Sequence, residues 1–263
     1  MTPFVKLLTI GILTLGLATA MTSPEYSGPE KKLYVSTGQE GTVSGIVNFE
    51  GESPKPKKID TSSDPVCSQA NPNLKTEDIV TANGALANVL IFVVNRGLED
   101  YTFEPMLSPA TLQHDGCRYV PRVMAIRVGQ PLRIFNLDQT QHNTHPAPKV
   151  NPEWNQSQGI GAPAIEKAFD RPEVAIPFRD NQHPWEKAWV GVFSHPFFAV
   201  SDSSGNYRIE GLPPGTYKVV AWHESLGAKT EEVIVRPREN QVMGFNFAED
   251  DLKRLDKSAS VSN

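Results

Sequence analysis

The stretch "IRVGQPLRIFNLDQTQHN", residues 126–143, decides how this chain is read. A Gly-Gln-Pro turn at 129–131 separates two runs of alternating character. In the second run Leu132 and Ile134, with Leu137 as a third apolar position, alternate against Arg133 and Asn136. That period of two marks a strand with one face in a core. The strand closes on Asn136 and Asp138, and the chain then presents His142 and His145. Histidines at a strand end are suited to hold a metal or move a proton, so the reading of fold and of chemistry starts here.

Working outward, "GTVSGIVNFEG" (41–51) alternates in the same way and ends at a glycine, ahead of a segment expected as a proline-rich loop. "ALANVLIFVVNRG" (85–97) holds a continuous apolar run between turn formers, the pattern of a strand buried on both faces. "RYVPRVMAIRVG" (118–129) supplies another strand, and residues 146–172 form the longest irregular region. From residue 197 the chain reads as a compact meander: a Ser-Gly-Asn turn, a strand, a Pro-Pro-Gly turn, a strand, and "KTEEVIVRP". No long segment carries a helical period; the best helix candidate is the polar end "AEDDLKRLDKSASVSN" (248–263). Short strands with turns every 8–12 residues indicate an all-β sandwich or barrel.

Residues 1–20 show a lone Lys6, an apolar run at 7–17 and Ala18-Thr19-Ala20, the pattern of a secretory signal peptide. The run is too short to span a bilayer. A periplasmic or otherwise exported protein follows as the expectation, with residues 21–40 as a flexible lead-in. The formal net charge of −5 and the lack of a dense Lys/Arg cluster argue against nucleic acid as a partner. "KPKK" (55–58) reads as a solvated loop. The two cysteines, Cys67 and Cys117, are an even count in an oxidising compartment and are expected to be bridged. No Gly-x-Ser-x-Gly elbow, phosphate loop or His-Glu-x-x-His is present, so nothing in the motifs calls for an enzyme.

Residues 126–143 resemble the cupredoxin pattern of a strand, a Gly turn, an "N-x-D" strand end and a first ligand histidine followed by Asn. The resemblance implies His142 as that ligand and Asn143 as the residue tying two ligand loops together. "PEVAIPFRDNQHPWEKAWVGVFSHP" (172–196) resembles the last cupredoxin loop, where the family places Cys-x-x-His-x-x-Met. The matching positions here are Asp180, His183 and Glu186. "SDSSGNYRIEGLPPGTYKVVAWHE" (201–224) is similar to the carboxypeptidase regulatory-like (transthyretin-like) β-module, which usually implies structure or adhesion. Together, over residues 41–236, these segments are similar to exported bacterial proteins described as plastocyanin-like or methylamine-utilisation-protein-like.

The resemblance implies a cupredoxin-like Greek-key β-sandwich over 41–196, a small transthyretin-like β-module over 197–247 and a polar tail over 248–263. The first two strands can instead pair with the C-terminal module, which would make the cupredoxin part an insertion. The implied ligands are His142, Asp180, His183 and Glu186, with His145 as a further ligand or a donor to a carboxylate. Without a thiolate such a set cannot make a blue copper centre; two imidazoles and two carboxylates suit Zn²⁺, Mn²⁺, Fe²⁺ or a non-blue Cu²⁺. Two functions stay open: an exported metal site for periplasmic redox or metal handling, with a redox or cell-envelope protein as partner, or a metal-free scaffold of the cell envelope. His195 and His223 read as hydrogen-bonded structural residues, His114 as part of a surface turn, and Trp185, Trp189 and Trp222 as packing residues, with Trp185 also placed to shield a metal from water.

Overall fold

The computed structural model describes residues 31–94 and 96–252. The expected signal peptide, the first part of the lead-in and residues 253–263 of the tail lie outside them. Fifteen strands carry the architecture: β1 (Gly41–Glu50), β2 (Leu90–Val94), β3 (Ala110–His114), β4 (Val123–Arg127), β5 (Leu132–Asn136), β6 (His142–Pro146), β7 (Gln156–Gln158), β8 (Ile165–Lys167), β9 (Glu173–Arg179), β10 (Lys187–Phe193), β11 (Phe198–Val200), β12 (Asn206–Leu212), β13 (Gly215–His223), β14 (Gly227–Val235) and β15 (Phe245–Ala248). The fold is all-β, as expected.

The strands form two sandwiches. In the outer one, a sheet of order β11-β2-β13-β14 faces a sheet built on β1, which pairs with β12 on one side and with β15 in parallel. The first two long strands therefore pair with C-terminal strands, the alternative that the sequence left open. In the inner sandwich, β8-β5-β3 faces β7-β6-β9-β10-β4. Residues 110–193 are thus an insertion between β2 and β11, which lie side by side, Phe92 opposite Phe198.

Alternation explains which residues face inward. Val43, Val47 and Phe49 of β1 pack with Ile91, Val93, Val219 and Phe247 in the outer core. Leu112, Leu132, Ile134, Ile176, Phe178 and Val190 fill the inner core. Strand β2 is buried on both faces because it belongs to both: Leu90 and Phe92 meet Val123 and Phe193 on the side opposite Ile91 and Val93. Leu137, counted with the inward set from sequence, is 51% exposed. Its odd position puts it out of phase with Leu132 and Ile134, and the chain is already turning. Arg122 joins the sandwiches: its Nη2 donates to Glu224 Oε2 at 2.8 Å and to Asp78 Oδ1 at 3.1 Å.

Residues 51–80 contain a feature missing from the sequence reading, the six-residue helix α1 (Pro65–Ala70). Asp64 caps it, accepting from the backbone N–H of Val66 and Cys67, and Pro65 occupies the first turn. An acidic cap followed by proline is a helix-start signature that could have been read from "SSDPVCSQA". Residues 146–172, read as irregular, contribute β7 and β8, so they pair with the inner sandwich. The expected C-terminal helix is seen only in its first turn, 249–252.

Gly45 of β1 shows how closely the chain passes itself. A Cβ there would fall 1.7 Å from the carbonyl oxygen of Met243. Backbone cannot yield as a flexible side chain does, so Gly45→Ala should force β1 away from residues 243–245. A loss of about 1–3 kcal/mol is expected, the range for overpacking a core, read as a lower urea midpoint at unchanged slope.

His223, at the end of β13, is fully buried, and its Nδ1 accepts from the N–H of Ser225 at 3.2 Å. Burial, helped by the positive charge of Arg122, pushes it down to about 4 from the usual 6.5. The unfolded chain therefore takes up a proton that the folded chain refuses as pH falls below 6.5. Stability is full above that value and declines toward pH 4 by about 1.4 kcal/mol per pH unit. His223→Gln should flatten the slope of urea-derived stability between pH 6.5 and 5 relative to the parent.

Candidate metal centre

The site lies where the β5–β6 turn meets the β9–β10 loop. Asn136 pins the first: its side-chain amide donates to the carbonyls of Thr140 (2.8 Å) and Gln158 (3.0 Å), and its Oδ1 accepts from Asp138 N–H. Asp138 is held in turn by consecutive backbone N–H groups of Gly116 and Cys117, at 2.8 and 2.9 Å. Both of those residues have positive φ (64° and 55°), so their amides form a concave nest that favours an anion. Glycine makes the first of these conformations inexpensive.

The second loop is organised by Asp180. Its Oδ1 accepts from the N–H of Gln182 and His183 (2.7 and 3.0 Å), tightening the turn, and its Oδ2 accepts from Asn143 N–H across the gap at 3.0 Å. Asn143 returns the tie by accepting from Asn181 N–H at 3.4 Å.

These loops bring together the four sequence-named residues. His142 Nδ1 lies 2.9 Å from Asp180 Oδ2 and 3.0 Å from Glu186 Oε1; His183 Nδ1 lies 3.2 and 3.9 Å from the same two oxygens. The ring nitrogens on the far side are occupied by two further carboxylates. His142 Nε2 is 3.1 Å from Asp138 Oδ2, and His183 Nε2 is 3.0 Å from Asp64 Oδ2. Asp64 thus does two things: one oxygen caps α1, the other meets His183 and accepts from Thr140 Oγ1 at 2.7 Å.

His114 overturns its assignment to a surface turn. It is fully buried at the end of β3, where its Nδ1 is 2.8 Å from Glu186 Oε2 and its Nε2 is 3.0 Å from Thr144 Oγ1. Its ring stacks on His142, centroids 4.4 Å apart. Ligand atoms of His114, His142, Asp180 and Glu186 all lie within 4.8 Å of one another. His145 goes the other way: it is partly exposed and engages Glu153 at 2.6 Å and Asn181 at 3.2 Å, outside the cluster. Alternation along β6 separates it from His142, since three positions apart on a strand means opposite faces.

The electrostatics follow from opposite charges sharing a small buried volume. Burial alone would lower His142, but hydrogen bonds to Asp138 and Asp180 and the nearby Glu186 carboxylate outweigh it and push it up to about 11. Burial is likewise overcome at His183, which Asp180 and Asp64 raise. Against the upward pull of burial, His142 and His183 hold Asp180 well below the usual carboxylate range, and Thr140 and His183 hold Asp64 at about 2. One atom stands apart. Glu186 Oε1 is buried and, among the described residues, has no hydrogen-bond partner. It is 3.0 Å from His142 Nδ1, the same nitrogen that meets Asp180 Oδ2 at 2.9 Å.

Cys67 and Cys117 are bridged. The bond fastens α1 over the site, and Trp185 closes the adjoining side, its ring 5.2 Å from His183 and its Nε1 donating to Cys117 O. His195 is half-buried between Phe193 and Phe197, accepting from Phe197 N–H at Nδ1, and takes no part in the cluster.

No family model matches the chain, and no curated protein matches it. Solved structures with local likeness include the copper-containing nitrite reductase of Thermus scotoductus SA-01, 20% identical over 34% of this chain and 23% of that one, TM-score 0.31. The chain thus spans under a quarter of that enzyme's length. A purple cupredoxin from Nitrosopumilus maritimus is 20% identical over 32% of this chain and 99% of its own, TM-score 0.28. The Cu(I) form of an amicyanin variant is 15% identical over 40% and 99%, TM-score 0.29. Likeness at these scores carries no functional argument, and the site is read from its own geometry below.

Proposed function

We propose that this is an exported metal-handling protein whose inner sandwich holds one divalent first-row cation between His142 Nδ1, His183 Nδ1, Asp180 Oδ2 and Glu186 Oε1. The observation that carries the reading is the convergence of two buried carboxylate oxygens, Asp180 Oδ2 and Glu186 Oε1, on the Nδ1 atoms of His142 and His183. Glu186 Oε1 makes no hydrogen bond among the described residues, so a metal ion there would supply the bond that this buried oxygen lacks. The spacings support a metal in that place. Bonds of about 2.0–2.2 Å to nitrogen and oxygen place tetrahedral ligands roughly 3.3–3.6 Å apart, and the four imidazole-to-carboxylate separations, of the six that four ligands define, run from 2.9 to 3.9 Å.

The surroundings fit as well. Each imidazole would keep its Nε2 proton and donate it to Asp138 or Asp64, the carboxylate–histidine–metal arrangement that fixes the tautomer and raises ligand basicity. His114 holds the other oxygen of Glu186 and so aims Oε1 inward, a positioning role; it is also the residue that would complete the competing ligand set. Two carboxylates and a divalent ion leave the buried centre neutral. Without a thiolate among the four, the ion is held as a Lewis acid or store rather than as a blue electron carrier. The disulfide supports an oxidising, extracytoplasmic setting.

A second reading rests on one observation: every ring nitrogen of the three histidines already has a partner without metal. In it, the cluster is a structural salt-bridge network. Calorimetric titration with Zn²⁺ separates the two. One equivalent bound, and a stabilisation of about 2.7 kcal/mol at a hundredfold excess over Kd, is expected; Glu186→Gln should weaken binding at least tenfold, whereas His145→Ala should not. A protein whose stability ignores Zn²⁺, Cu²⁺, Mn²⁺ and Fe²⁺ alike would leave only the network.

A further inference from the structure

The disulfide borders the cluster on the side where the imidazoles turn away from Asp180 and Glu186. Cys67 Sγ lies within 4.8 Å of a ring nitrogen of His183 and a carboxylate oxygen of Asp64; Cys117 Sγ lies within 4.8 Å of a ring nitrogen of His142 and a carboxylate oxygen of Asp138. Those carboxylates are the ones that meet the Nε2 atoms. The centroids of the two imidazoles are 4.6 Å apart. Each of the two histidines therefore has carboxylates at both ring nitrogens and one sulfur of the bridge within 4.8 Å of a ring nitrogen.

We propose that opening the Cys67–Cys117 bridge creates a second, soft-metal site from the two cysteine sulfurs and the outer nitrogens of His142 and His183, suited to Zn²⁺ or Cu⁺. The proposal rests on reading these histidines as metal-facing side chains. A dithiol reductant delivers two electrons and two protons: the S–S bond breaks, two thiols form, and the reductant closes to its own disulfide. An arriving cation displaces both thiol protons to solvent and accepts a lone pair from each sulfur, with no electron passing to the metal. The Cα atoms are 5.6 Å apart, so rotation of the side chains lets the sulfurs part to the roughly 3.7 Å edge set by metal–sulfur bonds of about 2.3 Å. His142 and His183 would then donate their Nδ1 protons to Asp180, the mirror image of the carboxylate-side arrangement. Thiolates select softer ions than carboxylates do, so the state of the thiols would decide which class of metal the same imidazoles hold. Cys67 lies in α1, whose residues Gln69 and Ala70 are exposed.

Co²⁺ is the probe, because thiolate ligation adds an intense near-ultraviolet charge-transfer band that oxygen and nitrogen ligands do not give. Full-length mature protein is compared oxidised and after anaerobic reduction with dithiothreitol, which is removed before titration. The oxidised protein should bind Co²⁺ without the band, and the reduced protein should gain it. Cys67→Ser leaves Cys117 as a thiol beside His142 without any reductant, and should show a weaker band that His142→Ala in the same background abolishes. Reduced protein that binds Co²⁺ with no charge transfer, or a Cys67→Ser protein that stays folded and shows none, overturns the proposal while leaving the carboxylate site intact. Oxidised protein that binds no Co²⁺ or Zn²⁺ instead overturns the carboxylate site, whatever the reduced protein does.

Discussion

Replacing His142 by alanine is expected to cost the metal-free protein about 3–5 kcal/mol, the range for removing one partner of a buried ion pair. Three carboxylates, Asp138, Asp180 and Glu186, lie within 3.1 Å of its ring nitrogens. Truncation leaves these carboxylates facing one another, with the rings of His183 and His114 as their remaining partners in the cluster. It also removes the ring on which His114 stacks. Urea unfolding at neutral pH reads the loss, and Zn²⁺ titration of the same variant should show binding abolished. His145→Ala is the matched control, since its ion pair with Glu153 is solvent-facing and worth about 1 kcal/mol or less. Equal stability of the two variants would mean that the buried charges are satisfied in some other way.

Asp180→Cys is expected to turn the protein visibly coloured with Cu²⁺, through an intense thiolate-to-copper band that the parent lacks. Asp180 occupies the position facing both Nδ1 atoms, so a sulfur there completes a His₂Cys set, the arrangement that gives blue copper its spectrum. The local field also favours the thiolate: the N–H of Asn143 and two imidazoles point at this position, and such donors lower a thiol's pKa. The change asks only that the loop keep its shape after losing the carboxylate that accepts from Gln182 and His183 N–H. A colourless protein that still binds Cu²⁺ would show that the loop is shaped by Asp180 itself. The parent protein with Cu²⁺ should give only a weak visible absorption.

The two loops of the site were legible because their donors recur at short, fixed spacing. His142 after "N-x-D", and Asp180, His183 and Glu186 three apart, could each be placed by residue number, and the structure brings these four together. What could not be read was anything supplied from a distance. His114 ends a parallel strand paired with β5, and nothing in "LQHDGC" tells that Asn136 will lie opposite it. Asp64 arrives from a loop held by the disulfide, although its helix-capping role was visible in the Asp-Pro pair. His145 failed for the opposite reason: close in sequence to His142, it is turned outward by the pleat of β6. The fold followed the same division. Alternation identified the strands, whereas the pairing of β1 with β12 and β15 depends on contacts up to 198 residues apart.

That long-range pairing favours one order of assembly. The inner sandwich is made from one continuous stretch, residues 110–193, and can close as soon as β10 has emerged. The outer sandwich must wait for β11 to β15, and its earliest strands stay unpaired meanwhile. Once the inner sandwich has formed, its two ends lie close together, so the roughly hundred residues separating β2 from β11 act as a short loop, and the entropy of bringing the late strands back to β1 and β2 falls accordingly. A chain that emerges from its N-terminus and folds in this sequence completes the buried charge cluster before its outer strands are fastened. Its exposed, slow-pairing strands are then the part most open to aggregation.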